Sequence, residues 1–491
     1  MSADTATGLL ESGAWHRNGF SGGWRALEGG IIEVIEPATG AVLAEVGHAA
    51  PTDVRSACAQ ARQRQVAWAA LPYQQRAAIF RAAAQRLEGE RAAYAGWIVR
   101  ETGAIPPKAM FEIDSVLHLL HEAAAMLTQP QGLVLPSVEG CTSIARRQPH
   151  GVVGVISPFN FPFLLSARAV LPALATGNAV VLKPDPRTPV CGGVLMSLLL
   201  AAAGLPEGVL QMLPGEADAG EALVTDPDVA MISFTGSTAV GRRVGELGGR
   251  HLKKVALELG GKNAFIVLDD ADLDLAVSGG CWASWLHQGQ ICMSAGKHLV
   301  HASIGEAYAQ RMADKAAVLP VGDPHTQQVA IGPLITRKQV ERVERIVRES
   351  LAMGAKLLAG GSHEGQFYRP TVLSGVTPAM PVFREEIFGP VVSITTFDSD
   401  AQAVALANDG EYGLSAGIHT RDLARGLRIA EQLHVGQVHV NDQTVNDDGT
   451  MPMGGRGASG NGSRHGGPAN WDEFTQWQWS TVRATPPRYP L

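Results

Sequence analysis

The sequence predicts an α/β protein with two sheet-containing domains and a separate protruding β arm. Three observations carry this expectation. Short Val- and Ile-rich runs bounded by Gly or Pro alternate with longer helical patterns, and the alternation restarts after Lys254. Two further segments, 140–151 and 474–491, show the period-two pattern of exposed strands and lie outside both alternating regions.

Taken in chain order, residues 1–13 lack a basic stretch followed by an apolar one, so no signal peptide is expected. Residues 53–71 and 76–103 are Ala- and Arg-rich with helical periodicity. GVVGVIS (151–157) and NAVVLKP (178–184) read as buried parallel strands, with a helix from Pro162 to Leu174 between them. Strand, helix and strand over so short a stretch form the βαβ unit of a Rossmann-like sheet. VAMISFTG (229–236) adds a strand ending in a Thr235–Gly236 turn, and Ser237 is placed to cap a helix beginning at Thr238. AFIVLDD (264–270), GPVVSITTFDS (389–399) and GQVHVND (436–442) are the strands expected of the second domain. The expected division is 1–139 with 152–254 as a first, nucleotide-binding domain and 255–440 as a second α/β domain. Residues 140–151 with 472–491 are expected to form an arm reaching another subunit, with 441–471 as the segment linking it to the second domain.

A chain of 491 residues, 45% hydrophobic and 18% charged, suits two or three domains with a large core. The net charge of −7 and pI near 6.1 favour neither a nucleic-acid nor a membrane-surface partner. The longest apolar runs, such as 194–204, are too short to span a bilayer. The five cysteines form no C-x-x-C pair, and no metal-ligand spacing occurs. No disulfide framework, no metal and a cytoplasmic location are therefore expected.

Cys292 stands in GQICMSAG (289–296), among small and polar residues. A structural cysteine usually has apolar neighbours, whereas one that meets a substrate needs room. A thiolate attacks carbonyl carbon well. Such chemistry also requires a base, an oxyanion donor and an acceptor for what leaves. Glu258, in ALELGGKNA (256–264), is a carboxylate at a strand end followed by two slim residues. Partial burial would raise its pKa and let it deprotonate water. Taken alone, it reads as a solvated glutamate beside Lys253, Lys254 and Lys262. Asn160, in SPFNFPF (157–163), can aim its amide at a carbonyl oxygen from a turn fixed by Pro158 and Pro162. Alone, it reads as a turn residue bonded to its own backbone. FTGSTAVG (234–241) places a Gly-rich turn between strand and helix, a geometry that accepts a pyrophosphate. Lys183 at a strand end can bond a ribose hydroxyl or stand in water.

The order of these blocks says more than any one of them. SPFNFP, VVLKP, FTGSTAVG, LELGGKN, GQIC and EEIFGPV follow one another, with 34 residues from Glu258 to Cys292 (292 − 258). In this the chain resembles NAD(P)-dependent aldehyde dehydrogenases, from about residue 30 to the C-terminus. Its tail, 439–467 with FTQWQWSTVR (474–483), resembles the benzaldehyde and vanillin dehydrogenase branch. The resemblance implies oxidation of a small aromatic aldehyde to its acid. Cys292 would form a thiohemiacetal and then a thioester, Asn160 and the Cys292 backbone N–H would hold the oxyanion, and Glu258 would activate water. It further implies NAD, with NADP as the alternative, held by Ser157, Lys183, Gly236, Ser237, Leu259, Glu386 and Phe388. A homo-dimer or homo-tetramer is also implied.

Three positions depart from the family pattern. Pro186 stands where NAD-preferring relatives carry a glutamate, with Asp185 before it and Arg187 after it. Ala169 replaces a lysine, and Arg168 beside it is expected to face elsewhere on its helix. Met453 replaces a phenylalanine; it and Met451 keep the pocket apolar with altered shape. Phe159, Trp285 and Met293 are candidate flat walls for an aromatic ring. Phe159 and Trp285 also fit core packing, which is the favoured role for Trp285. The remaining alternatives are a semialdehyde or aliphatic aldehyde dehydrogenase, which would need a cation in the pocket for an acidic substrate, and a non-catalytic scaffold retaining the fold.

Overall fold

A computed structural model describes residue 10 and residues 13–490 of the chain. The reading of the first dozen residues thus falls almost wholly outside the described residues. Two seven-stranded sheets dominate. In the first, the order is Lys254–Glu258, Val229–Thr235, Val152–Ile156, Ala179–Lys183, Leu210–Met212, and then the short antiparallel pair Gly19–Phe20 and Trp24–Arg25. The first five strands run parallel. Chain order leaves Val152–Ile156 in one direction toward Ala179–Lys183 and in the other toward Val229–Thr235. The switch point therefore lies between Val152–Ile156 and Val229–Thr235, where a doubly wound sheet opens a crevice at its carboxyl ends.

The second sheet runs Lys356–Ala359, Thr371–Ser374, Val391–Phe397, Ala295–His301, Asn263–Val267, Ser415–His419, Gln437–Val440, parallel except at its first pair. One boundary needs correction. The expected change of domain at 254/255 falls at the start of a strand that pairs along its length with Val229–Thr235, so the first sheet continues through Glu258. A parallel strand is apolar on both faces, and local pattern does not say which sheet receives it.

The arm is a three-stranded antiparallel sheet: Thr475–Arg483 pairs with Cys141–Pro149, which pairs with Gly132–Leu135. The last of these strands lies outside the expected arm limits.

The helix Pro162–Ala175 follows the first strand and is buried along nearly its whole length, with Pro162 in its first turn, where a missing N–H costs nothing. It packs on the helix Pro106–Met126, itself against Tyr73–Thr102. Ser237 caps the helix Thr238–Arg250, its hydroxyl accepting from the Val240 N–H. Among the described residues no helix is long and apolar enough to cross a membrane, and no group of three or more His, Cys, Asp or Glu is placed to hold a metal.

Candidate active site

The segment before Cys292 has a backbone that few side chains tolerate. His287, Gln288 and Gly289 all have positive φ (48°, 58° and 69°). Two buried amides hold this irregular stretch. Gln288 donates to the carbonyls of Gly103 and Pro333, each at 2.8 Å, and Gln290 accepts from the Ile335 N–H at 3.0 Å. Beyond the cysteine, Asn263 donates to the carbonyls of Cys292 and Ser294, both at 2.8 Å, while its oxygen accepts from Ser415 N–H. Gly261 lies so close that a Cβ there would stand 2.5 Å from the Cys292 carbonyl oxygen. The strand-and-turn carrying Glu258 is thus seated directly on the cysteine loop.

Asn160 is buried, and its amide donates to the Gln290 carbonyl at 2.9 Å. The NH2 group has a second N–H for another acceptor. Glu258 is buried at a strand end, and neither of its carboxylate oxygens has a hydrogen-bond partner. Burial therefore pushes its pKa well above the usual carboxylate range. The half-buried Cys292 thiol is pushed up to about 12, first by burial and then by the negative charges of Glu386, Asp447 and Glu258. At neutral pH this side chain is therefore a thiol, and attack by its sulfur would require a base to remove the proton.

Cys292, Glu258 and Asn160 share one cleft of about 530 Å3 with Ser157, Lys183, Gly236, Ser237, Leu259, Glu386 and Phe388. All ten residues that the sequence offers for catalysis or cofactor binding lie on its walls. The cleft opens at the switch point of the first sheet and takes in the N-terminus of the helix Thr238–Arg250, whose free N–H groups suit a phosphate. Helix and strand end meet closely there, since a Cβ on Gly241 would overlap the Leu259 side chain. Lys183 is buried, which lowers its pKa. Glu386 accepts from the Gly261 N–H at 3.1 Å and is pushed by burial to about 7. Phe388 sits at φ 55°, a strained value for an aromatic residue. Cleft volume, a helix N-terminus and flanking Lys and Glu fit a dinucleotide.

Several expectations change here. Phe159 lines this same cleft, its ring edge-on to Phe388 at 5.8 Å and under the Arg187 guanidinium at 4.0 Å. It is a buried wall residue of the cleft that holds Cys292. Arg187 is engaged by both Asp185 oxygens, at 2.7 and 2.6 Å. Trp285 is buried in a core cluster beside the second sheet, the role the sequence favours for it. Met453 is buried and Met451 is 56% exposed, so only the former shapes the pocket.

The largest change concerns Arg168. It does not face away. With Ala169, Glu258, Cys292, Met453 and His465 it lines a small inner cavity behind the cysteine, and it also borders an outer groove with Phe111, His118 and Asp448. Its guanidinium pairs with Asp447 at 2.5 Å and touches the Met453 sulfur. The helix carrying it is buried all round, so adjacent positions both meet protein. Asp447, Asn263 and His465 were not signalled by any local pattern.

A sequence model described as "Aldehyde dehydrogenase family" matches residues 24–480. The chain is 52% identical over 484 residues to a vanillin dehydrogenase of Amycolatopsis sp., covering 98% of this chain and 100% of the relative. It is 50% identical over 482 residues to a benzaldehyde dehydrogenase [NAD(+)] of Pseudomonas putida, covering 98% and 99%. A solved salicylaldehyde dehydrogenase of Pseudomonas putida G7, complexed with salicylaldehyde, superposes with a TM-score of 0.93 at 33% identity, covering 96% and 99%.

Proposed function

The chain belongs to the aldehyde dehydrogenase family, and on that premise we propose that it oxidises an aromatic aldehyde to its carboxylic acid with NAD+. The observation that carries this is the convergence of thiol, orphan carboxylate and amide on one cleft with a dinucleotide-sized cradle. Cys292 Sγ attacks the aldehyde carbon and its proton passes to Glu258, whose raised pKa makes it a competent acceptor. The oxyanion that forms is held by the free amide N–H of Asn160 and the backbone N–H of Cys292. A nicotinamide held in the cleft would supply the acceptor for the hydride leaving the substrate carbon, and the acyl group would then remain on Cys292 as a thioester. After Glu258 has released that proton to solvent, its carboxylate takes a proton from water, whose oxygen bonds to the acyl carbon as the C–S bond breaks. Ser237 and Gly236 serve the pyrophosphate, Lys183 a ribose, and Glu386 with Phe388 the nicotinamide riboside.

A benzaldehyde needs apolar walls and no net charge opposite it. Leu165 and Met453 supply the former, and the Arg168 charge is balanced by Asp447, which removes the attraction an acidic semialdehyde would seek. Initial rates with benzaldehyde, vanillin and succinic semialdehyde, each with NAD+ and NADP+, test the assignment. Higher kcat/KM for the aromatic aldehydes with NAD+ is expected. Preference for the semialdehyde would replace the aromatic reading.

The first sheet is assigned to cofactor binding and the second to catalysis. The arm, which exposes Leu133, Val134, Trp477 and Trp479, is assigned to assembly of a dimer or tetramer. A cytoplasmic location accords with five free cysteines.

A further inference from the structure

Two ionisable side chains of the helix Pro106–Met126 lie beneath the Asn160 turn without lining the cleft. Lys108 and Glu112 stand one helical turn apart and form an ion pair in which both side chains are fully buried. The Lys108 ammonium also donates to the Asn160 carbonyl oxygen at 2.7 Å and lies 4.2 Å from the centre of the Phe161 ring. The second Glu112 oxygen accepts from the backbone N–H groups of Phe163 and Leu164, each at 3.2 Å. These belong to the first turn of the helix Pro162–Ala175, where such donors have no partner within the helix. The ammonium therefore holds the peptide of Asn160 itself, and the carboxylate holds the helix that follows it. On the far side, the Asn160 amide is tied to the Gln290 carbonyl, two residues before Cys292.

Stability gives little reason for such a pair. Burial lowers the Lys108 pKa and raises that of Glu112, so both charges are held against a desolvation cost. Apolar residues of similar volume often stabilise a core as well or better. What the pair does supply is a fixed place for one peptide group.

We propose that Lys108 and Glu112 are positioning residues that lock the Asn160 turn so that its amide meets the oxyanion without reorganising. This rests on the reading of Asn160 as the oxyanion donor. An oxyanion donor is effective only if it is already in place when charge develops, and a small displacement removes much of its benefit.

The test is a double-mutant cycle on the full-length enzyme. Lys108→Met/Glu112→Gln removes both charges and the donor to Asn160, while the glutamine oxygen still accepts from the helix N–H groups. It is made in the wild-type and Asn160→Ala backgrounds, with kcat for benzaldehyde, the dissociation constant of NAD+ and the melting temperature recorded for each. With Asn160 present, kcat is expected to fall by about 10- to 100-fold with NAD+ affinity unchanged. In the Asn160→Ala background the same changes are expected to add nothing. Unchanged kcat, or an equal loss in both backgrounds, overturns the positioning role while leaving Asn160 in place as donor. Wild-type turnover by Asn160→Ala itself overturns the donor reading and this proposal with it. If the charge-free variant does not fold, Glu112→Asp runs the same cycle. It keeps both charges and withdraws the carboxylate by one methylene, and a loss confined to the Asn160-containing background is again expected.

Discussion

Gly261→Ala probes the contact that brings the Glu258 segment and the Cys292 loop together. Gly261 has no left-handed φ, so alanine is allowed by the backbone and the effect is one of space. The new Cβ would stand 2.5 Å from the Cys292 carbonyl oxygen, and ordinary contact begins at 3.4 Å. The two segments must separate by about 0.9 Å (3.4 − 2.5). The carbonyl cannot yield freely, since Asn263 holds it at 2.8 Å. Displacement of a reacting group by about 1 Å costs on the order of 10²-fold in rate, or roughly 2.7 kcal/mol in the barrier. Steady-state NADH formation from benzaldehyde reads kcat, and thermal unfolding confirms that the variant is folded. A loss of that size in a folded protein is the expected result. Wild-type kcat would refute the claim that this seam sets the distance between Glu258 and Cys292.

Further outcomes follow from the same geometry. Glu258→Gln should still give a single-turnover burst of NADH, with water or solvent base taking the thiol proton more slowly, and then stall at hydrolysis; steady multiple turnover would remove Glu258 as the base. The Cys292 thiol and the Glu258 carboxyl both have raised pKa values and both must lose a proton, so kcat/KM should climb from neutral into alkaline pH in a rate–pH profile. A rate falling across that range would contradict the burial of both groups. Asp185→Ser frees the Arg187 guanidinium from its two-point partner, and the ratio of kcat/KM for NADP+ to that for NAD+ should rise by about tenfold, the worth of one new charge-assisted contact. An unchanged ratio would mean that Arg187 does not reach the ribose phosphate position.

How far the chain could be read without its structure depended on the range of the forces involved. The strands Val152–Ile156 and Ala179–Lys183 announce themselves because residues buried on both faces leave an unbroken apolar run. Ser237 is equally local, since a cap acts within one turn of its own helix. Cys292 carries a local signal in its small and polar neighbours, whereas Glu258 and Asn160 are legible only through the order of the blocks, because each alone resembles an ordinary surface or turn residue. Arg168 was misplaced for a definite reason. Helical spacing sorts inward from outward positions only when a helix has a wet face, and Pro162–Ala175 has almost none. Its partner Asp447 is 279 residues away, beyond any local pattern. Lys108 and Glu112 illustrate the same limit, since an i, i+4 pair of opposite charge ordinarily marks a solvated helix surface. Only the packing of a later helix across that face turns the pair into buried machinery.

The central claim is an acyl group held covalently on one sulfur. Glu258→Gln mixed with NAD+ and benzaldehyde, quenched in acid and digested, should yield the Cys292 peptide heavier by a benzoyl group, with the other four cysteines unmodified. Detection of NADH without any adduct on that peptide would contradict covalent catalysis by Cys292.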